Sequence, residues 1–183
     1  MIDPEERDVR HPGGKPLLNK GDASNRNSKG NRPNTPHCPI INVTKELLAG
    51  RFQEYNRKYF GGALGRCRFL YLNTDVFGKY IFQDNVKDPA ARSRIIIAKN
   101  VSWTEEALEE ILVHEMVHMY VATILGKEHD GILGHGRRFR RECRRIKREH
   151  GLEIRIHPYH LYRLRKDYLP KTWEKVVLWL IDW

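Results

Sequence analysis

The sequence has few cysteines, no long apolar run and no leader-like start. Its 183 residues include three cysteines, Cys38, Cys67 and Cys143, and no C-x-x-C pair, so neither a disulfide framework nor a zinc ribbon is expected. No run of about 18 apolar residues is present, which argues against a membrane-spanning helix. Residues 1–6 lack the basic and then apolar pattern of a secretion signal. We therefore expect an intracellular protein, cytoplasmic or associated with the nucleus or nucleoid, that has no membrane partner.

Apolar residues are also scarce at the beginning of the chain. Between His11 and Pro39, 17 of 29 positions are Gly, Pro, Asn, Ser or Asp. Such a segment buries too little apolar surface to offset the entropy of ordering its backbone. We predict a disordered tail over residues 1–39 and one folded domain over residues 40–183, because the chain is long enough for about one domain.

Hydrophobic periodicity predicts an α+β fold after this tail. An apolar stripe at helical spacing predicts a leading helix over about 45–60, with Thr44 as its N-cap. A longer and nearly all-apolar segment predicts a buried helix over about 103–126, capped by Ser102 or Thr104. The other predicted elements are three short strands (67–72, 78–82, 94–98), a basic helix (136–149), a short strand (153–157) and a C-terminal helix (about 171–182).

The predicted buried helix contains the segment His114-Glu115-Met116-Val117-His118. Residues four apart lie one turn apart on the same face, so both imidazoles can bind one metal ion. The adjacent Glu115 can act as general base toward a metal-bound water, and zinc suits nitrogen ligands in a tetrahedral site. Burying three ionisable groups in an apolar helix is costly without partners, and a metal removes that cost. The alternative is a pair of hydrogen-bonded core histidines with a glutamate at the rim.

A catalytic zinc ion needs a third protein ligand. The metzincin spacing would require Gly and His where the sequence has Val121 and Ile124, which excludes that pattern. Glu142 is a candidate of the type that gluzincins use, and His135 is another, because flanking glycines allow close approach of the backbone in the segment Gly134-His135-Gly136. The weaker candidates are the other histidines of the later chain, His129, His150, His157 and His160.

The H-E-M-V-H helix, the loop of about sixteen residues and the G-H-G turn before a helix resemble the SprT-like zinc metallopeptidases. The resemblance covers roughly residues 45–157. It implies a zincin-like minimal metalloprotease domain with a C-terminal helical extension. It also implies one zinc ion per chain, bound by His114, His118 and His135, with Glu115 as the catalytic base. Glu142 would then be a partner in the basic helix. Some members act on DNA–protein crosslinks, and many carry a Cys-rich DNA-binding module that this sequence lacks.

Positive charge is concentrated in the predicted basic helix. The chain has a net charge of +10, and eight basic against two acidic residues give residues 136–149 a charge of +6. Such a face attracts phosphates and favours salt-dependent binding to nucleic acid. The predicted contacts to DNA, single-stranded or at a junction, are Arg137, Arg138, Arg141, Arg144, Arg145 and Arg148. A solvated basic face without a partner is the alternative.

These patterns together predict a zinc metalloendopeptidase that hydrolyses protein substrates, including proteins bound to DNA, with Glu115 activating a zinc-bound water. The competing hypothesis is a nucleic-acid-binding protein whose zinc site is structural or idle, which a closed site with four protein ligands would favour. A zinc hydrolase of a non-peptide substrate is a third class that the motif allows.

Overall fold

The computed structural model of the protein describes residues 39–88, 92–127, 130–131 and 134–166. The predicted C-terminal helix and all of the predicted tail except Pro39 lie outside these residues. The described part has the predicted α+β arrangement of helices around a small sheet. Its elements are α1 (Lys45–Phe60), β1 (Arg68–Leu72), β2 (Gly78–Phe82), β3 (Ser93–Ala98), α2 (Glu105–Thr123), α3 (Arg137–His150) and a short 3-10 helix (Tyr159–Leu164).

The leading helix α1 begins and ends where the sequence predicts. The side chain of Thr44 accepts a hydrogen bond from the backbone N–H of Leu47, which satisfies one of the free donors of the first turn. Gly61 ends the helix in the left-handed conformation, with φ of 60°, where glycine meets no steric cost. The apolar stripe of α1, which includes Leu48 and Phe52, is buried in the core.

The three strands form one sheet in the order β1-β3-β2. Strand β3 is parallel to β1 and antiparallel to β2. Ile95, Ile96 and Ile97 are fully buried, as predicted for a strand that is covered on both faces. Strand β2 therefore lies at an edge of the sheet within the described residues, and it packs on α2.

Helix α2 crosses the centre of the core and is buried on nearly all sides. It begins after Thr104, whose side chain accepts a hydrogen bond from Ala107 N–H, so Thr104 and not Ser102 is the cap. Trp103 explains the choice, because its side chain is buried and its indole N–H donates to Ala98 O. No helix among the described residues is long and apolar enough to cross a membrane.

The last predicted strand, over residues 153–157, is wrong. This segment is extended but forms no sheet pairing among the described residues. Its apolar alternation has another cause, because Ile154 and Ile156 both pack against the core, whereas Glu153, Arg155 and His157 are exposed. The N–H of Arg155 donates to the side chain of Glu110 on α2 instead of to a neighbouring strand.

Candidate metal centre

Three imidazoles converge at one point between α2 and α3. The Nε2 atom of His114 lies 3.3 Å from that of His118 and 3.0 Å from that of His135, and the last two are 3.1 Å apart. Nitrogens bound to one tetrahedral zinc ion at about 2.0–2.1 Å lie about 3.3 Å from one another, so the donor set fits such an ion closely. Helix α2 supplies two of the three groups, and the turn before α3 supplies His135.

The three histidines are held in the neutral form that a metal requires. Burial, together with the neighbouring imidazoles, lowers the pKa of His114 well below its ordinary value. Burial also lowers the pKa of His118 to about 3 and, to a smaller extent, the pKa of His135. Because a metal binds the neutral imidazole through a lone pair, these shifts prepare the site for a cation at neutral pH.

The turn that carries His135 depends on its two glycines. Gly134 has a φ of +73°, and a Cβ atom there would lie 3.1 Å from the ring of His118. A Cβ atom on Gly136 would collide with the backbone of Asp130. These contacts confirm that glycine is needed on both sides of His135 for the turn to pack against α2.

Sequence reasoning missed Asp130, which fixes this turn. Its buried carboxylate accepts a hydrogen bond of 2.8 Å from the N–H of Phe139, in the first turn of α3. Gly136 precedes the helix and offers no side-chain cap, so Asp130 supplies from the loop the acceptor that a capping residue would normally provide. An acidic residue a few positions before a helix that starts on glycine was the available signal.

Glu115 lies beside the histidines, buried under the backbone of β2. Its carboxylate accepts a hydrogen bond from the backbone N–H of Tyr80. A Cβ atom on Gly78 would lie 2.7 Å from Oε1 of Glu115, so only glycine allows this approach. Burial raises the pKa of Glu115 to about 8, against the smaller opposing effects of the Tyr80 N–H and the charge of Lys79.

The metal centre opens into a cleft along the edge strand. A cavity of about 500 Å³ includes the three histidines, Glu115 and the β2 residues Gly78, Lys79, Tyr80 and Phe82 in its lining. A second cavity of about 500 Å³ shares Phe82 and Ala122 with it and continues past Met119 and Ile124. The cleft therefore extends beyond the histidines toward the C-terminal end of α2.

The arginines of α3 differ in exposure, although Arg141, Arg145 and Arg148 all form ion pairs with glutamates of the same helix. The guanidinium of Arg145 is held by Glu142, Glu149 and the backbone oxygen of Tyr59. Glu142 bonds to arginines of its own helix, so it takes the role that the resemblance implied and is not a ligand beside the histidines. Arg141 and Arg148 extend into solvent, with side chains 60% and 71% exposed.

A basic cavity lies directly beside the third histidine. It has a volume of about 440 Å³ and is lined by His135, Gly136, Arg137, Arg140 and Arg144. Arg140 donates from Nε to the backbone oxygen of His135. Neither Arg137 nor Arg144 forms a hydrogen bond or ion pair with another described residue, so both side chains can meet an external anion at this position.

The fold and the site define an α+β domain in which a buried H-E-x-x-H helix and a following glycine-flanked histidine form one candidate metal centre. The model of the SprT-like family matches residues 48–160, which include α2, the His135 turn and α3. The chain therefore belongs to the SprT-like family. A comparison with curated proteins gave no significant match.

Proposed function

We propose that the protein is a zinc-dependent endopeptidase. The observation that carries this proposal is the convergence of three Nε2 atoms within 3.3 Å of one another beside the buried carboxylate of Glu115, in an open cleft. Within the described residues, three protein ligands meet here and not four. Three ligands and an accessible position favour a catalytic site, whereas a structural zinc site has four protein ligands and is closed.

His114, His118 and His135 would hold the ion, and all three are neutral nitrogen donors of the type that zinc prefers. A bound zinc ion would supply Lewis acidity, polarising the scissile carbonyl and making water more acidic. Glu115 is within the same cavity, where the charge of a bound ion would favour its ionised form. The carboxylate would then accept a proton from the attacking water and return it to the leaving amine. The Tyr80 N–H keeps the carboxylate of Glu115 oriented throughout this exchange.

The edge of β2 offers a binding surface for an extended polypeptide. Phe77 O accepts from Ala98 N–H, and Gln83 N–H donates to Arg92 O, so the odd-numbered residues direct their peptide groups toward β3. Peptide groups alternate along a strand, and those of Gly78 and Phe82 therefore point to the open edge above the cleft, on the same side as the Tyr80 N–H that donates to Glu115. A substrate paired with this edge gains main-chain hydrogen bonds without a sequence requirement.

Cleavage of a histone by the zinc-loaded protein tests the proposal. Glu115→Gln should retain zinc but lose at least about 100-fold in rate, because the amide cannot take up the proton. Glu109→Gln, on the same helix but outside the lining of the metal cavity, is the matched control and should cleave normally. Wild-type rates in Glu115→Gln would refute the mechanism. A protein that binds zinc but cuts no histone, with or without single-stranded DNA, would favour a non-catalytic site or a non-peptide substrate.

We further propose that the protein acts on substrates bound to nucleic acid, inside the cytoplasm, nucleus or nucleoid. The supporting observation is the basic cavity beside His135, where a bound phosphate would lie next to the metal centre. The double variant Arg137→Ala, Arg144→Ala should weaken binding to single-stranded DNA and reduce its log–log salt slope by about 1.4, or about 0.7 per lost phosphate contact. Lys45→Ala, Arg57→Ala on α1 removes the same charge and should leave the slope unchanged. Equal slopes in both double variants would contradict this assignment.

A further inference from the structure

A buried carboxylate that does not line the metal cavity lies one turn before the first histidine on α2. Glu110 is 7% exposed, and a buried carboxylate is costly unless its oxygens are satisfied. Its Oε1 accepts a 3.2 Å hydrogen bond from the backbone N–H of Arg155. Its Oε2 lies 2.9 Å from Nε2 of His160 and 3.5 Å from the guanidinium of Arg155. Every contact of this carboxylate therefore leads to the segment that follows α3.

The carbonyl group of Arg155, in the next peptide unit, meets the metal centre. The backbone oxygen of Arg155 lies 3.2 Å from Nδ1 of His114. A carbonyl oxygen only accepts, so the Nδ1 atom must carry the proton, which leaves the lone pair on Nε2. That lone pair points to the Nε2 atoms of His118 and His135. Two side chains one turn apart on α2 thus hold the N–H and the C=O of one residue, Arg155.

The local structure around Arg155 leaves its backbone dependent on these contacts with Glu110 and His114. Residues 151–158 form no helix and no sheet pairing among the described residues, so no ladder of hydrogen bonds fixes the backbone on either side of Arg155. If the Arg155 carbonyl turned away, the ring of His114 could rotate or take the other tautomer. Protonated at Nε2, His114 offers the metal no lone pair at the position where the other two ligands converge.

We propose that Glu110 is a positioning residue that keeps His114 in its metal-binding tautomer by fixing the backbone of Arg155. This inference rests on the metal-binding part of the proposed function and not on peptide hydrolysis. Groups that orient metal-bound histidines typically contribute about 10–100-fold to metal affinity. In this protein, Glu110 makes that contribution indirectly, because it holds Arg155, whose carbonyl oxygen accepts from Nδ1 of His114.

Zinc affinity, measured by competition with a chromophoric chelator, is the first test. Glu110→Ala should bind zinc about 10–100-fold more weakly than wild type and should shift the visible spectrum of the cobalt-substituted protein. Glu110→Gln should fall between the two, because its amide oxygen still accepts the N–H of Arg155. Glu109→Ala is the matched control. It removes contacts with Tyr59 and Lys58, so it should lower stability while leaving zinc affinity within about twofold.

The tautomer itself is the second test, and it needs no variant. Nitrogen-15 NMR of the zinc-free wild-type protein should show His114 protonated at Nδ1. An Nε2-protonated His114 would overturn the proposal, as would a folded Glu110→Ala variant with wild-type zinc affinity or an equal loss in Glu109→Ala. A wild-type protein that binds zinc but cleaves nothing would refute the peptidase alone. A wild-type protein that binds no zinc would refute both proposals.

Discussion

Replacing Gly78 by alanine should separate metal binding from catalysis. The added Cβ atom would lie 2.7 Å from Oε1 of Glu115, 2.9 Å from Cγ of Glu115 and 2.8 Å from Cγ2 of Ile111. Normal contacts between such atoms are about 3.5–4.0 Å, so movement must recover about 0.6–1.3 Å. Ile111 is 2% exposed and is enclosed by the core, whereas Glu115 is 5% exposed and borders the cleft.

The movement falls mainly on the carboxylate of Glu115. A misplacement of about 1 Å costs roughly 100-fold in rate, which corresponds to about 2.7 kcal/mol in activation free energy. Overpacking should also lower the free energy of unfolding by about 1–3 kcal/mol. None of the three close contacts involves a histidine, so we expect zinc affinity within about threefold of wild type.

The assay compares kcat/KM for histone cleavage, zinc affinity and melting temperature in wild type, Gly78→Ala and Gly65→Ala. Gly65 is the control, because a Cβ atom there meets nothing within 4 Å and its φ lies outside the left-handed region. A folded Gly78→Ala variant with wild-type kcat/KM would refute the reasoning, because it would mean that the position of Glu115 does not limit the reaction. An equal loss in Gly65→Ala would show that the effect is not local.

Three further predictions concern stability. In zinc-free protein, the pKa of His118 is lowered to about 3, whereas it is about 6.5 in the unfolded chain. The contribution of His118 to the free energy of unfolding is therefore complete above pH 6.5 and is lost as the pH falls toward 3, by up to about 1.4 kcal/mol per pH unit. Urea unfolding should show this slope, and His118→Asn should reduce it. In thermal unfolding, Asp130→Ala should lower the free energy of unfolding by about 0.5–2 kcal/mol, because α3 loses its cap. Asp130→Asn should lower it less, and equal losses in the two variants would contradict the capping role. Arg145→Ala leaves buried Glu142 with fewer partners and should lower the free energy of unfolding by about 1–3 kcal/mol. Exposed Arg148→Ala should change it by no more than about 0.5 kcal/mol. The reverse order in urea unfolding would contradict this difference between the two arginines.

Local patterns in the sequence predicted the elements that local physics determines. Thr44 and Gly61 lie at the ends of α1 as expected, because caps and left-handed glycines act within a few residues. The spacing of His114 and His118 placed two donors on one face of α2, since the geometry of a helix leaves no other arrangement. His135 could be proposed from its flanking glycines, because close approach of two backbones excludes larger residues.

Features that depend on distant contacts were not readable in the same way. The buried partners of Glu110 are 45 and 50 positions away along the chain, and no local pattern encodes that separation. Gly78 looked like the start of an ordinary strand, although its lack of a side chain is what makes room for the carboxylate of Glu115. The segment over 153–157 has the alternation of a strand, yet packing on one side alone produced it.

The division of the three histidines between α2 and the turn before α3 has a mechanical consequence. His118 and His135 are 17 positions apart, so an ion bound to both would crosslink the two ends of this segment, as a disulfide does. A crosslink over a loop of this length restricts the unfolded ensemble by about 3 kcal/mol in the chain-entropy account. In a protein with few cysteines, the resistance of the fold to heat and proteolysis would then depend on whether the ion is bound. Removal of the ion by a chelator would release this crosslink between α2 and the turn before α3, and it would also abolish the proposed peptidase activity.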